Sequence, residues 1–173
     1  MSKLHTTPVP LDLNTGRRRF GFPVPIFCGN TKQPNQVCDS WAEFYANERL
    51  LAILATIEER SDPDTGLREA VEKMAHQFVP RLLGGCGEGK DIVPFAVQGD
   101  LSSGNADWGR TIGSGGDEIP EDVVYDPSAC YGHNEYNLMI HLFGSRSFDQ
   151  YHWIVPKTEP VAEYADRVEL YEL

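Results

Sequence analysis

Two short apolar runs, each leading into an aspartate, constrain the fold of this chain more than any other feature. Residues 92–98 lead into Asp100, and residues 123–125 lead into Asp126. Both runs are rich in β-forming residues, so we predict that they pair as a small hairpin. The hairpin would carry both carboxylates, and the amide of Asn105 five residues after Asp100, at its ends.

The chain before these runs predicts two helices, which indicates a mostly helical α+β fold. Ser40 and Glu43 have the spacing of a capping box, and apolar residues then recur at helical intervals as far as residue 59. The turn-forming run 61–66 separates this helix from a second one, which ends at the two glycines 84–85. Further helices are predicted over 134–151 and 161–173.

The remaining segments predict loops. Residues 1–18 contain prolines and a glycine without apolar periodicity, so we expect an irregular N-terminal segment. Residues 107–122 contain four glycines and predict a flexible insertion within a hairpin. The glycine run 113–116 resembles a phosphate loop only superficially, because the lysine and the following apolar helix are missing.

Composition excludes several classes of protein. A chain of 173 residues can form one domain with a sizeable core. The net charge of −11 argues against nucleic acid as a partner, because such binding needs a basic surface. The four scattered cysteines predict neither a zinc site nor a disulfide scaffold. Without an apolar leader or a long apolar run, we expect a cytoplasmic protein with no membrane association.

The acidic and amide side chains suit phosphoryl transfer. That reaction needs a carboxylate to orient the attacking hydroxyl and oxygen ligands for Mg²⁺ beside the phosphates. Asp100 suits the first role, and Asn105 with Asp126 suits the second. The same residue types also cap turns, and a weaker alternative is a metal-dependent hydrolase that uses these three residues and needs no ATP.

Several motifs resemble the fructosamine and ribulosamine kinases, also called ketosamine-3-kinases. Residues 98–105 read Gln-Gly-Asp-Leu-Ser-Ser-Gly-Asn, similar to the family's His-Gly-Asp-Leu-Trp-x-Gly-Asn. Residues 125–136 read Tyr-Asp-Pro-Ser-Ala-Cys-Tyr-Gly-His-Asn-Glu-Tyr, similar to Phe-Asp-Pro-Ala-x-x-Tyr-Gly-His-x-Glu-Tyr. Segments 20–30, 39–45 and 167–173 also resemble the family. The likeness runs in order from residue 19 to residue 173.

The resemblance implies a transferase with the fold of a protein-kinase-like large C-terminal lobe over residues 19–173. It implies ATP-dependent phosphorylation of the 3-hydroxyl of a ketosamine, such as ribulosamine or fructosamine on protein lysines, and hence protein deglycation. By the same resemblance Asp100 is the catalytic base, and Asn105 and Asp126 bind Mg²⁺. Gln98, His133 and Glu135 would support the site. The expected ligands are ATP, Mg²⁺, and a glycated protein or small ketosamine; no oligomeric state is indicated.

The chain also departs from the family pattern. Gln98 replaces the motif histidine and Ser102 replaces the motif tryptophan. About nineteen residues precede Phe20, where the family has a nucleotide-binding small lobe, so we expect a large lobe alone. Two hypotheses follow. One is a ketosamine kinase, represented here by its large lobe, whose activity depends on an N-terminal small lobe. The other is a catalytically inactive kinase-like remnant that binds a partner or has no function.

Overall fold

A computed structural model of the chain describes residues 2–85, 92–110, 120–136 and 150–172. In the described residues, helices pack around the core both before and after the candidate site residues in sequence, and the short strands form three two-stranded antiparallel sheets. The predicted mixture of helices and small strands is confirmed. None of the helices in the described ranges is long and apolar enough to cross a membrane.

The first helical stretch begins where the capping pattern predicts. It consists of α2 (Trp41–Phe44), a π-helical segment (Tyr45–Leu51) and α3 (Ala52–Arg60). Ser40 Oγ accepts a hydrogen bond from the backbone N–H of Glu43 at 3.4 Å. The π-helical segment was not predicted, and Glu48 and Arg49 within it are both buried.

The second helical stretch also follows its sequence signals. It contains α4 (Thr65–Lys73), a π-helical segment (Met74–Phe78) and α5 (Val79–Leu83). The Asp64 carboxylate caps it by accepting a hydrogen bond from the Leu67 N–H at 3.0 Å. It ends at Gly84, as predicted.

The strands form, but their predicted pairing is wrong. The antiparallel pairs are as follows: β1 (Ile26–Cys28) with β2 (Thr31–Gln33), β3 (Phe95–Val97) with β6 (Cys130–Gly132), and β4 (Ala106–Gly109) with β5 (Glu121–Val124). Residues 92–98 therefore do not pair with 123–125. Asp126 adopts a left-handed conformation (φ 48°) before Pro127, which ends β5 and lets a separate strand form beyond it. The loops after β3 and β5 nevertheless meet.

Helix α1 (Ser2–Thr6) departs from the irregular structure predicted for residues 1–18. A five-residue helix is not stable by its own propensity, so tertiary contacts must hold it. His5 supplies such a contact, because it is almost fully buried and its Nδ1 lies 2.7 Å from the Tyr151 hydroxyl. Helix α1 therefore depends on tertiary contacts, which the periodicity of apolar residues in the sequence could not predict.

The C-terminal part closes the core. A 3₁₀ turn (Val161–Glu163) leads into α6 (Tyr164–Tyr171), which confirms the helix predicted over 161–173. Leu170 joins the apolar cluster around Trp41. Of the helix predicted over 134–151, residues 134–136 form a turn and 137–149 lie outside the described residues. The glycine run 113–116 lies outside them too.

Candidate active site

One buried amide joins the two loops that carry the candidate site residues. Gln98 directly follows β3, and its Oε1 accepts a hydrogen bond from the Asp100 N–H at 2.7 Å. Its Nε2 donates to the carbonyl oxygens of Tyr125 at 3.0 Å and Asp126 at 3.4 Å. A single side chain therefore sets the backbone of Asp100 relative to that of Asp126.

Asn105 holds the other end of the first loop. Its Nδ2 donates to the Asp100 carbonyl oxygen at 2.8 Å and to Asp100 Oδ2 at 3.1 Å. The Asn105 carbonyl accepts from the Tyr125 N–H at 3.0 Å, which ties the loop to the end of β5. Because the amide nitrogen faces Asp100, the Asn105 Oδ1 is the side-chain atom left to act as a metal ligand.

Two unusual backbone positions make this close approach possible. Gly99 has φ +80°, and a Cβ there would lie 1.9 Å from the Ser128 carbonyl oxygen, so only glycine fits. Asp126 adopts φ 48°, which costs free energy in any residue with a Cβ. Ser128 Oγ donates to the Phe27 carbonyl at 2.7 Å and anchors the second loop on β1.

The side chains of Asp100, Asn105 and Asp126 have the donor chemistry that Mg²⁺ requires. Asp126 is exposed, Asp100 is half-buried, and Asn105 adds an amide oxygen. Hard oxygen donors suit Mg²⁺, which takes few protein ligands and completes its shell with water and phosphate oxygens. The described residues contain no group of three or more His, Cys, Asp and Glu that could hold a metal unaided. A site of two carboxylates and one amide therefore fits a metal that is shared with a phosphate ligand.

His133 lies in a buried hydrogen-bonded chain. Trp41 Nε1 donates to the Tyr171 hydroxyl at 2.7 Å, and that hydroxyl lies 2.7 Å from His133 Nδ1. His133 Nε2 lies 2.7 Å from Thr158 Oγ1. Burial lowers the pKa of His133 well below its usual value, so the imidazole is neutral. A neutral ring that accepts a hydrogen bond from the Tyr171 hydroxyl and donates one to Thr158 Oγ1 gives every polar group in this hydrogen-bonded series a partner.

Glu135 forms the other half of this buried structure. Arg167 donates to its carboxylate through Nε at 2.7 Å and Nη2 at 3.2 Å, and the Thr158 N–H donates at 2.7 Å. Arg167 also donates to the carbonyls of Thr158 at 2.6 Å and Pro160 at 3.1 Å. We call this set the buried latch: Trp41, His133, Glu135, Thr158, Arg167 and Tyr171. It binds α6 and residues 158–160 to the end of β6.

Sequence reasoning missed the buried Arg49. Its Nη1 donates to the Pro34 carbonyl and its Nη2 to Asn35 Oδ1, both at 2.7 Å, and its guanidinium lies 4.6 Å from the centre of the Phe44 ring. Periodicity of apolar residues carries no information about a buried cation. The one available signal was the charged pair Glu48 and Arg49 within an apolar helical stretch.

Solved structures and curated proteins resemble this chain. A crystal structure from Haemophilus somnus, assigned as a fructosamine-3-kinase, matches with a TM-score of 0.70 at 19% identity, covering 99% of this chain and 50% of that one. One from Thermobifida fusca, also assigned as a fructosamine-3-kinase, matches with a TM-score of 0.64 at 28% identity, covering 89% and 49%. Mouse ketosamine-3-kinase is 32% identical over 161 residues, covering 90% of this chain and 46% of that protein. The Arabidopsis thaliana chloroplastic protein-ribulosamine 3-kinase is 30% identical over 157 residues, covering 89% and 43%.

The chain has the kinase-like fold of these structures assigned as fructosamine-3-kinases. The sequence profile of the fructosamine kinase family matches residues 1–173, and the chain belongs to that family. The resemblance noted from the motifs is thereby confirmed. The chain spans about half the length of the curated relatives it matches.

Proposed function

We propose that this chain supplies the catalytic base and the magnesium ligands of an ATP-dependent ketosamine 3-kinase. The observation that carries the proposal is the bridge made by Gln98, which joins Asp100 to the turn at Asp126. Membership of the fructosamine kinase family supports it, as do the relatives named for ketosamine and ribulosamine phosphorylation. These relationships do not favour the inactive remnant.

Each side chain has a role that its surroundings support. Asp100 would accept a hydrogen bond from the 3-hydroxyl of the sugar adduct and orient it towards the terminal phosphate of ATP. Asn105 Oδ1 and the Asp126 carboxylate would bind the Mg²⁺ that neutralises the phosphate charge when ATP is present. Gln98 would act as a positioning residue. His133 and Glu135 would support the site indirectly by fixing the strand that pairs with β3.

The proposed substrates are protein-bound ribulosamine or fructosamine and the corresponding small ketosamines. Phosphorylation of the 3-hydroxyl makes the sugar adduct labile, so the biological outcome would be protein deglycation. A cytoplasmic location remains a prediction from composition, and one plant relative is named as chloroplastic.

Phosphate transfer from ATP to a ribulosamine-bearing peptide, followed by ³¹P NMR, tests the proposal. Because the resemblance assigns nucleotide binding to a small lobe, the protein tested joins a family member's small lobe to this chain, and we expect it to form a sugar 3-phosphate in a Mg²⁺-dependent reaction. Asp100→Asn should lower kcat by about 10²- to 10⁴-fold, the usual contribution of a general base. Asp62→Asn is the matched control, because Asp62 is an exposed aspartate in the turn before α4.

Two results would refute the proposal. One is an Asp100→Asn variant as active as Asp62→Asn. The other is the absence of transfer to both ribulosamine and fructosamine at saturating ATP and Mg²⁺. Asp126→Asn separates the two roles, since loss of a metal ligand should raise the Mg²⁺ concentration needed for half-maximal rate.

A further inference from the structure

The ribbon formed by β4 and β5 presents an exposed aromatic residue next to the candidate active site. In its register Trp108 pairs with Asp122 and Ala106 with Val124. Directly paired residues share one face of an antiparallel ribbon, and alternate residues along a strand share it too. These four side chains therefore form one face, which we call the hairpin face. Trp108 is 64% exposed and Val124 is 40% exposed.

The hairpin face continues directly into the site. Ala106 follows Asn105, and Asp126 lies two residues beyond Val124. At about 3.4 Å per residue along a strand, the backbone of Trp108 is about 10 Å from that of Asn105. A polypeptide in extended conformation covers that distance in about three residues. A side chain two to four positions from a residue in the site can thus reach Trp108.

Charge on this ribbon favours a cationic partner. The described residues 105–110 and 120–126 contain four carboxylates and one basic side chain, that of Arg110. The carboxylates belong to Asp107, Glu121, Asp122 and Asp126. An ammonium or guanidinium group binds over an indole ring through the electrostatic attraction of the ring face. Asp122, the cross-strand partner of Trp108, places a carboxylate beside that ring.

We propose that the hairpin face docks a basic segment of the protein substrate, with a lysine or arginine near the modified lysine lying over Trp108 and beside Asp122. The inference rests on the proposed function, since it supplies the reason for a peptide to lie across the site. The inference predicts a sequence preference around the modified lysine, which the candidate site residues alone do not give. Glycated lysines flanked by other cations should bind more tightly than those flanked by neutral or acidic residues.

Equilibrium binding of labelled nine-residue peptides without ATP tests the docking separately from catalysis. The peptides carry an unmodified central lysine flanked by lysines, by glutamines or by glutamates, and binding is measured by fluorescence anisotropy. The wild-type chain should bind the lysine-flanked peptide most tightly, with an affinity that falls as salt is added. Trp108→Ala and Asp122→Asn should each weaken that binding about 3- to 10-fold and leave the glutamine-flanked peptide unchanged.

Trp153→Ala and Trp108→Phe complete the design. Trp153 is a second exposed tryptophan, 81% exposed, that does not belong to the hairpin face, so its removal should have no effect. Trp108→Phe keeps a ring and should retain most of the binding, which guards against a simple loss of folding. Equal binding of all three peptides, or wild-type binding by Trp108→Ala, would overturn the proposal. Concentration-dependent dimers that disappear in Trp108→Ala would also overturn it, because they would assign the face to a second copy.

Kinetics distinguish this inference from the proposed function. With a ketosamine on a lysine-flanked peptide, Trp108→Ala should raise KM about 3- to 10-fold without changing kcat. With a small free ketosamine it should change neither constant. If phosphate transfer fails for both substrates while charge-dependent binding persists, the proposed function fails and the docking stands. If both substrates react equally well in wild type and Trp108→Ala, only the docking fails.

Discussion

The two strands of the β3–β6 pair lead into polar segments with opposite properties. After β3 come Gln98, Asp100 and Asn105, which with Asp126 are the candidate site residues; the Asp100 side chain is half-buried and that of Asp126 is exposed. After β6 comes the buried latch, in which every side-chain nitrogen and oxygen has a hydrogen-bond partner. The first segment leaves charge available for a ligand at the cost of backbone strain. The second uses its charges to hold the fold, although both belong to neighbouring sequence motifs.

Removal of Glu135 should have the largest effect on stability. Glu135→Ala leaves the Arg167 guanidinium buried without its carboxylate, and breaking such a pair costs about 3–5 kcal/mol. Urea unfolding measures the loss. Asp126→Asn should not destabilise the chain, since Asp126 is exposed. The free energy of unfolding should therefore fall when a carboxylate of the buried latch is removed and stay unchanged when one of the candidate site is neutralised.

A double variant checks the cause. Glu135→Leu with Arg167→Met removes both charges and should be more stable than Glu135→Leu alone, because no unpaired charge stays buried. Glu169→Ala, which removes an exposed glutamate from α6, should change stability by less than about 0.5 kcal/mol. Equal instability of the single and double variants would show that packing, and not charge pairing, holds α6.

Acid should weaken the buried latch and the contact that His5 makes with Tyr151. Burial lowers the pKa of His133 well below 6.5, and burial lowers that of His5 to about 4. Below pH 6.5 the unfolded chain therefore binds protons that the folded chain does not, so stability falls as pH falls. For each group the slope approaches about 1.4 kcal/mol per pH unit at pH values that lie below its unfolded pKa and above its folded pKa.

Urea unfolding at several pH values measures this slope, and His133→Gln should reduce it by about half. His76→Gln is the control, because His76 is exposed. An unchanged slope in His133→Gln would mean that the imidazole is protonated within the folded latch.

Tyr171→Phe should have a smaller effect. It removes the hydroxyl that accepts from Trp41 and faces His133, which leaves two buried polar groups without partners. We expect a loss of about 1–3 kcal/mol in thermal or urea unfolding. Tyr125→Phe alters an exposed hydroxyl and should be close to neutral. If the two variants were equally stable, the hydrogen-bonded chain would contribute nothing to stability.

The sequence predicted the parts of this molecule that depend on local chemistry. Ser40 begins a helix because its side chain satisfies a nearby N–H group, and this cap forms as expected. Asp64 caps the second helical stretch by the same local chemistry, although its segment was predicted only as a turn. The loop from Gln98 to Asn105 could be recognised because its residue types and their spacing are those that phosphoryl transfer requires. In each of these cases the information lies within about eight residues of chain.

The parts that could not be predicted depend on contacts between distant residues. The latch joins Trp41 to Tyr171 and Glu135 to Arg167, and nothing local marks these pairs. The prediction of which strands pair was wrong for a related reason. Both apolar runs are strands, but the left-handed turn at Asp126 creates a further strand that competes for β3. Which of two short strands pairs is decided by turn geometry and burial, not by β-propensity.

The smallest expected effect concerns Gln98, where the loop depends on hydrogen bonds and not on charge. A neutral imidazole has one acceptor and one donor, the roles that the Gln98 amide plays towards Asp100 and Tyr125. Gln98→His should therefore keep kcat for ketosamine phosphorylation within about threefold at pH 8, a change of about 0.7 kcal/mol in the barrier.

Burial at position 98 should lower the pKa of the introduced imidazole from its usual value of about 6.5, and below that lowered pKa the two chains should diverge. An imidazolium donates from both nitrogens, so it would present a donor to the Asp100 N–H and open the loop. The wild-type amide does not titrate, and its kcat should show no such step. Gln98→Leu removes both hydrogen bonds, so its kcat at pH 8 measures how much activity depends on them. If this variant keeps full activity, the loop does not need the bridge. If only Gln98→His loses activity in acid, the bridge positions Asp100 by hydrogen bonding. The buried latch differs, because there the ion pair of Glu135 and Arg167 stabilises the structure.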